Sequence, residues 1–115
     1  MRSVLFFSLL FVLLPGVAVG AQPMRDQEIR EYLGEYLKVQ GGYEGNATEA
    51  GMFLGYVRGV LDALEGTALC IPDNASMESL IQRVVRYIHS HPHSPRGDSR
   101  MLVFGALRDQ YPCGH

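Results

Sequence analysis

The sequence predicts an all-α domain, a compact bundle of about four helices with one disulfide, after a cleaved signal peptide. Apolar residues recur at the three- and four-residue spacing of amphipathic helices in about four segments. No run of alternating residues is long enough to predict a sheet. The two cysteines, Cys70 and Cys113, both follow the leader, and a cysteine pair in an exported chain predicts a disulfide.

The N-terminal segment, residues 1–21, is typical of a cleaved signal peptide. Arg2 supplies a positive charge, Val4–Leu14 forms an uncharged apolar core, Pro15 ends that core, and small residues suited to cleavage follow. The alternative is an uncleaved membrane anchor, but the second half of the uncharged run is only weakly apolar. We therefore expect a periplasmic protein whose single domain, residues 22–115, is free of the membrane.

Capping residues and helix breakers set the expected helix limits. Asn46 or Thr48 is suited to cap the second helix, and Ser76 or Asn74 the third. The expected helices are Met24–Gln40, Ala47–Ala68, Met77–His89 and a fourth that starts at Asp98 or Ser99 and runs to about Gln110.

The second helix carries a row of small residues at four-residue intervals, namely Gly51, Gly55, Gly59 and Ala63. Glycine inside a helix costs up to about 1 kcal/mol relative to alanine. On a helical wheel the row lies opposite the main apolar face, where it is useful only if another backbone comes close. Either neighbours in the same chain wrap this helix, or its glycine side meets a second protomer. A transmembrane pair is excluded by the charges at mid-helix, Arg58, Asp62 and Glu65.

Four segments, GYVRGVLDAL, CIP, VVRYIHSHP and LVFGALRDQYPC, occur in this order up to Cys113. They resemble the Rap/Tai family of type VI secretion amidase immunity proteins, whose pattern carries a C-x-P and ends in [FY]-P-C. The matching positions are Gly55, Tyr56, Gly59, Asp62, Cys70, Pro72, Tyr87, Pro92, Leu107, Tyr111, Pro112 and Cys113.

The resemblance implies a helical periplasmic protein, often a homodimer, that binds and blocks a peptidoglycan-cleaving amidase toxin. With the glycine row, it favours roles in helix packing or dimerisation for Gly51, Gly55, Tyr56, Gly59, Asp62, Pro72 and Pro112. Two other classes of function stay open. One is a small acid-activated periplasmic chaperone, for which the four histidines could sense pH near 6.5. The other is an orphan periplasmic protein-binding module.

The fourth helix has a second face with residue types that are enriched in protein interfaces. Phe104 and Arg108 lie on it, and the preceding loop adds His91, His93 and Arg96. A loop with two prolines loses little entropy on binding, so these residues are the candidates for contact with the toxin. The alternative is that this face packs on the first helix or on a dimer mate.

Neither catalysis nor a cofactor is expected. His89, His91 and His93 alternate and could hold zinc or copper, but no carboxylate or thiol ligand lies beside them in the sequence, so we expect no metal. Both cysteines are expected in the disulfide, and no P-loop or zinc-protease motif occurs, so we expect no enzyme. A formal net charge of −2 argues against nucleic acid as a partner.

Overall fold

The computed structural model describes residues 22–93 and 98–114, which form four α-helices and no strand. The helices are α1 (Asp26–Gln40), α2 (Ala47–Leu64), α3 (Met77–Ser90) and α4 (Ser99–Leu107). The all-α prediction is therefore confirmed. The predicted signal peptide and Arg96 lie outside the described residues. None of the described helices is long and apolar enough to cross a membrane.

Three of the helices begin at a side chain that caps them. The Asn46 side chain accepts a hydrogen bond from the Glu49 amide at 3.1 Å, which starts α2. Ser76 caps α3 in the same way, and Asp98 caps α4. The α1 helix has no side-chain cap, but it carries acidic residues in its first turn, where the helix dipole favours negative charge.

Two helices end earlier than predicted. The α2 helix ends at Leu64 rather than Ala68 because Gly66 adopts a left-handed conformation, with φ of 81°. The Gly66 amide then donates to Leu69 O at 2.8 Å, and this turn places the Leu69 side chain in the core with 0% exposure. The α4 helix ends at Leu107 rather than Gln110, so that the chain end is free to run beside the α2–α3 connector.

The first helix begins two residues later than predicted, at Asp26, because the preceding backbone is used elsewhere. Met24 O accepts hydrogen bonds from the Ser99 amide and, at 2.8 Å, from the Ser99 hydroxyl. Arg25 and Asp98 form an isolated antiparallel bridge. The N-terminal end of the domain is thereby fixed to the start of α4.

The core forms where a pair made by α1 and α2 meets a pair made by α3 and α4, with α4 also packed on α2. All four helices contribute apolar side chains that are almost completely buried. Burial of each such side chain contributes roughly 1.5–3 kcal/mol. The central members are Ile29, Leu33, Phe53, Val57, Leu61, Leu69, Leu80, Ile81, Val84, Ile88, Leu102, Val103 and Leu107.

The predicted disulfide is confirmed. Cys70 and Cys113 are bonded, with an S–S distance of 2.02 Å and a sequence separation of 43. The Cys70 amide also donates to Tyr111 O at 2.9 Å. Together these contacts hold the end of the chain against the connector between α2 and α3.

Candidate partner-binding surfaces

The glycine row of α2 is open in the single chain. A Cβ atom built at Gly51, Gly55 or Gly59 would meet nothing within 4 Å. All three residues are exposed, whereas Phe53 and Val57 on the other side of α2 are completely buried. Of the two arrangements that could explain the row, wrapping by neighbours in the same chain is therefore wrong for the part of the chain that the structure describes.

Beside the row, α2 and α4 form an apolar groove, which we call the α2–α4 groove. One part has a volume of about 470 Å³, and an adjoining part has about 250 Å³. Leu64 and Arg100 line both parts, so the two are continuous. The remaining lining residues are Gly55, Tyr56, Gly59, Val60, Ala63, Ala68, Asp98, Met101 and Phe104.

Tyr56 lines the groove, and its hydroxyl end is buried. The hydroxyl oxygen is out of contact with solvent and makes no hydrogen bond within the described residues. Burial raises the pKa of Tyr56, and the negative charge of Asp98 raises it further. The Tyr56 phenol therefore stays neutral and acts as part of the groove wall, not as an ionising group.

The mouth of the groove carries an ion pair. Arg100 Nη2 lies 2.8 Å from the Asp98 carboxylate, whose pKa is lowered by these hydrogen bonds. The same pair raises the pKa of Arg100, whose side chain is 64% exposed. The Asp98 carboxylate also caps α4. The same carboxylate therefore starts the helix and holds the Arg100 guanidinium at the edge of the apolar groove.

The other side of the glycine row is polar. Arg58, Asp62 and Glu65 are all exposed there. The Glu65 carboxylate accepts a hydrogen bond from the Ile71 amide at 3.1 Å. Arg58 and Asp62 are four residues apart on α2, yet no ion pair between them occurs among the described side chains.

Asp62 and Pro72 also line a shallow depression of about 300 Å³ between α2 and the connector. Pro72 O accepts a hydrogen bond from the Ala75 amide at 3.0 Å, so Pro72 belongs to the turn that leads into α3. Pro112 is exposed and lies between Tyr111 and the disulfide. The two prolines thus flank the covalent link rather than a binding site.

His91 ends α3 instead of pointing freely into solvent. Its ring stacks on the Tyr87 ring, with centroids 3.8 Å apart, and its Nδ1 lies 2.8 Å from Tyr87 O. The guanidinium of Arg30 donates to Ile88 O at 3.0 Å and also to His91 O. Arg30 on α1 thus supplies hydrogen bonds to the last carbonyls of α3. The sequence did not single out Arg30, because it looks like any other charged residue on the polar face of α1.

Phe104 and Arg108 lie apart from His91. Phe104 is half-buried and lines the α2–α4 groove, whereas the Tyr87 ring on which His91 stacks lies against the next residue of α4, Gly105. Arg108 is exposed, with Nε 3.5 Å from the Asp109 carboxylate. The predicted toxin-contact residues therefore do not form one cluster: Phe104 belongs to the groove, and His91 to the end of α3.

His89 and His93 are exposed. Within the described ranges, no three residues of the metal-ligating types come together to form a possible metal site.

Comparison with known protein families gives one match. The family model described as Rap1a immunity proteins matches residues 27–113 of this chain. The chain belongs to the Rap1a immunity protein family. The match covers all four helices and both cysteines, and it confirms the resemblance drawn from the sequence. Membership implies that the chain binds a toxin effector protein. No curated protein and no solved structure matches.

Several of the residues that carried the resemblance are structural in this Rap1a family member. Leu107 is completely buried, and Tyr111 packs against the core with the Arg83 guanidinium 5.9 Å from its ring centre. Gly55, Gly59 and Asp62 differ, because they are exposed on one side of α2. No contact among the described residues of the single chain explains why Gly55 and Gly59 are glycine.

Proposed function

We propose that this chain is exported to the periplasm, where it binds a peptidoglycan amidase effector of a type VI secretion system and inhibits it by covering its active site. The observation that carries the proposal is membership in the Rap1a immunity family over residues 27–113. The disulfide supports export, because such bonds persist in oxidising compartments and are rare in the cytosol. Inhibition by occlusion needs no catalytic group in this chain.

The toxin-contact surface is proposed on the outward side of α4 and on the segment that precedes it. Met101 is 40% exposed there, and Arg108 carries an exposed guanidinium. Methionine and arginine are enriched in the cores of protein interfaces. Exposed His93 precedes this surface in the chain, Arg96 is added to it from the sequence alone, and the His91 ring stacks on Tyr87.

Phe104 contributes to this proposal as an anchor for α4. Its side chain packs against the core and exposes only part of the ring in the α2–α4 groove. Replacing it would therefore disturb the position of α4 as well as any contact with the toxin. Arg108 and His93 are the cleaner probes, because both side chains are exposed.

Two copies of the chain are proposed to associate, since the glycine row of α2 is open and carries the cost of helical glycine without any contact inside the chain. The α2 side and the outward side of α4 that carries Arg108 are different parts of the surface. A dimer formed through α2 would leave exposed Arg108 available, whereas Met101 and Phe104 line the groove beside the glycine row.

The direct test measures hydrolysis of purified peptidoglycan by type VI amidases, starting with any amidase encoded beside this chain, with and without the protein purified from the periplasm. We expect inhibition that is complete at a one-to-one ratio of chains, and a binding heat in calorimetry with the same stoichiometry. Folded, disulfide-bonded protein that leaves every amidase in such a panel fully active and shows no binding would contradict the proposed function.

The surface is tested by Arg108→Glu and His93→Ala in the same assay. We expect each to weaken inhibition, Arg108→Glu by about tenfold or more, because a reversed charge in a contact surface meets unfavourable partners. The matched control is Arg86→Glu, an exposed arginine on α3, which we expect to inhibit like the unmodified protein. Equal inhibition by all of these variants would place the toxin-contact surface elsewhere.

A further inference from the structure

We propose that His91 presents a fixed hydrogen-bond acceptor at the end of α3, and that its Nε2 atom receives a hydrogen bond from a neutral N–H or O–H group of the amidase. The identity of the partner rests on the proposed function. The position of the ring proton is a property of this chain alone, so it can be measured without a partner.

The contacts of the His91 ring determine which of its nitrogens carries the proton. Nδ1 lies 2.8 Å from Tyr87 O and 3.0 Å from Ser90 Oγ. A carbonyl oxygen carries no hydrogen, so the proton of the first contact belongs to Nδ1. The Ser90 hydroxyl donates to Tyr87 O at 3.1 Å, and its oxygen remains able to accept from Nδ1. A neutral imidazole with its proton on Nδ1 has a bare Nε2, which is an acceptor.

Both the ring and the backbone of His91 are held in place. The ring stacks on the Tyr87 ring, with centroids 3.8 Å apart and an angle of 19° between the planes. The Tyr87 ring lies against Gly105 of α4, where an added Cβ atom would be 2.5 Å from the Tyr87 hydroxyl oxygen. The His91 carbonyl accepts a hydrogen bond from the Arg30 guanidinium. A side chain that is already fixed in this way loses little conformational entropy when a partner binds.

The Nε2 atom is the polar part of this ring that the fold does not use. His91 is exposed, and both ring hydrogen bonds within the described residues are made by Nδ1. A purely structural His91 therefore needs only a donor at the Nδ1 position, and a side-chain amide of the right length would serve equally well. This difference separates a helix end-cap from an acceptor for a partner.

The charges around His91 select a neutral donor. Arg30 brings a full positive charge to the His91 carbonyl, and the Asp26 carboxylate lies 3.1 Å from the same guanidinium. A lysine or arginine of the partner would approach Nε2 against the charge of Arg30. A carboxylate has no hydrogen to donate to a bare Nε2. A backbone N–H, a side-chain amide or a hydroxyl meets neither obstacle.

Acidification should reverse the role of Nε2. Once protonated, Nε2 is a donor, so it no longer accepts the partner's hydrogen bond. We therefore expect binding to weaken as the pH falls from about 8 to about 5. Other charged or titratable groups surround the ring, so the comparison needs a variant that lacks only the imidazole. These groups are Asp26 and Arg30 from α1, Tyr87 and His89 from α3, and His93 beyond it, while α4 meets the Tyr87 ring with uncharged Gly105.

The first measurement is nitrogen NMR of the imidazole rings at about pH 8, in the protein purified from the periplasm and without a partner. We expect His91 to carry its proton on Nδ1 and to have a bare Nε2. His89 is the internal reference, because it is exposed and its ring makes no hydrogen bond within the described residues, so it should show no preference for Nδ1. A His91 proton mainly on Nε2, or divided equally between the nitrogens, overturns the inference.

The second measurement is the dissociation constant for an amidase that the unmodified protein inhibits. His91→Asn keeps an amide N–H near the Nδ1 position and has no atom at the Nε2 position. Its affinity should fall about tenfold, the equivalent of one lost hydrogen bond. His91→Gln carries its side-chain oxygen toward the Nε2 position, so it should recover part of that loss and remove most of the pH dependence. His89→Asn is the matched control and should bind like the unmodified protein.

Thermal melting of the same variants separates an effect on binding from an effect on folding. The inference falls if a folded His91→Asn variant binds as tightly as the unmodified protein. It also falls if the unmodified protein and His91→Gln lose affinity equally on acidification, a comparison that decides the matter even where His91→Asn is unstable. The proposed function survives both results, because the amidase is still inhibited. A panel in which no amidase is inhibited contradicts the amidase as partner, while the NMR result still decides whether His91 is a fixed acceptor.

Discussion

The phenol ring of Tyr87 on α3 lies directly against Gly105 of α4. A Cβ atom at Gly105 would be 2.5 Å from the Tyr87 hydroxyl oxygen and 2.8 Å from the ring carbon that bears it. The ring cannot simply move away, because it also stacks on His91 at 3.8 Å. Gly105 is therefore required by close packing of two helices, and not by backbone conformation.

We expect Gly105→Ala to lower the free energy of unfolding by about 1–3 kcal/mol, the usual cost of an overpacked contact. The control is Gly34→Ala on α1, where an added Cβ would meet nothing within 4 Å. That variant should raise the free energy of unfolding by about 0.5–1 kcal/mol, through helix propensity. Urea unfolding checks both. Two variants of equal stability would contradict the close contact at Tyr87.

The contrast between Gly105 and Gly34 shows which features could be predicted from the sequence and which could not. The four helices and the disulfide were predictable, because amphipathic spacing and paired cysteines in an exported chain are local signals. Three caps also followed the preferred residue types. The end of α2 was not predicted, because it depends on a left-handed Gly66 and on burial of Leu69 beyond it. Gly105 and Gly59 look alike in sequence, yet one is packed and the other open.

The candidate sites show the same difference between local features, which the sequence predicts, and contacts in three dimensions, which it does not. The sequence indicated a special role for the glycine row, and only the three-dimensional neighbours could show that its own chain leaves it uncovered. His91, a candidate toxin contact, is exposed, and its ring also stacks on Tyr87 while its carbonyl accepts a hydrogen bond from Arg30. The contact between Arg30 and His91 joins residues 61 positions apart and carries no periodic signal, so sequence reasoning could not pair them.

Arg30 provides the second prediction. Its guanidinium donates to Ile88 O and His91 O at the end of α3 and pairs with Asp26 at 3.1 Å. Arg30→Met keeps much of the aliphatic stem and removes every one of these donors. We expect a loss of about 1–3 kcal/mol in unfolding free energy, the range for acceptors that lose a charged donor, with the partly buried Ile88 O contributing more than the exposed His91 O.

Hydrogen exchange gives a sharper measure of the same change. The amides in the last turn of α3 should exchange faster in Arg30→Met, while those in the middle of α2 should change only as global stability changes. Arg86→Met, an exposed position on α3, is the control and should leave both regions as they are. Uniform acceleration throughout the domain would show that Arg30 acts on the whole fold and not as a helix end-cap.

The disulfide provides the third prediction. Replacing Cys70 and Cys113 together by serine should lower the free energy of unfolding by about 2–5 kcal/mol, because the loop it closes spans 43 residues. The first region to loosen should be the chain end, where Tyr111 O holds the Cys70 amide and the Tyr111 ring packs on the core. Thermal melting of the oxidised protein with and without a thiol reductant is the matched measurement. A melting temperature that is the same in both would contradict a stabilising role.

The pH dependence of stability provides the last prediction, and it depends on Asp98. Hydrogen bonds from Arg100 lower the pKa of Asp98 below its ordinary value of 3.8. A carboxyl whose pKa is lower in the folded state stabilises the fold above its unfolded pKa, and this contribution is lost as the pH falls through the folded value.

Asp98→Asn keeps a good helix cap and removes the charge. The variant should therefore be less stable than the parent near neutral pH, and the difference should shrink on acidification below about pH 4. Chemical unfolding at several pH values checks this, and a difference that stays constant down to pH values well below 3.8 would show that the Asp98 charge contributes nothing to the stability of the fold.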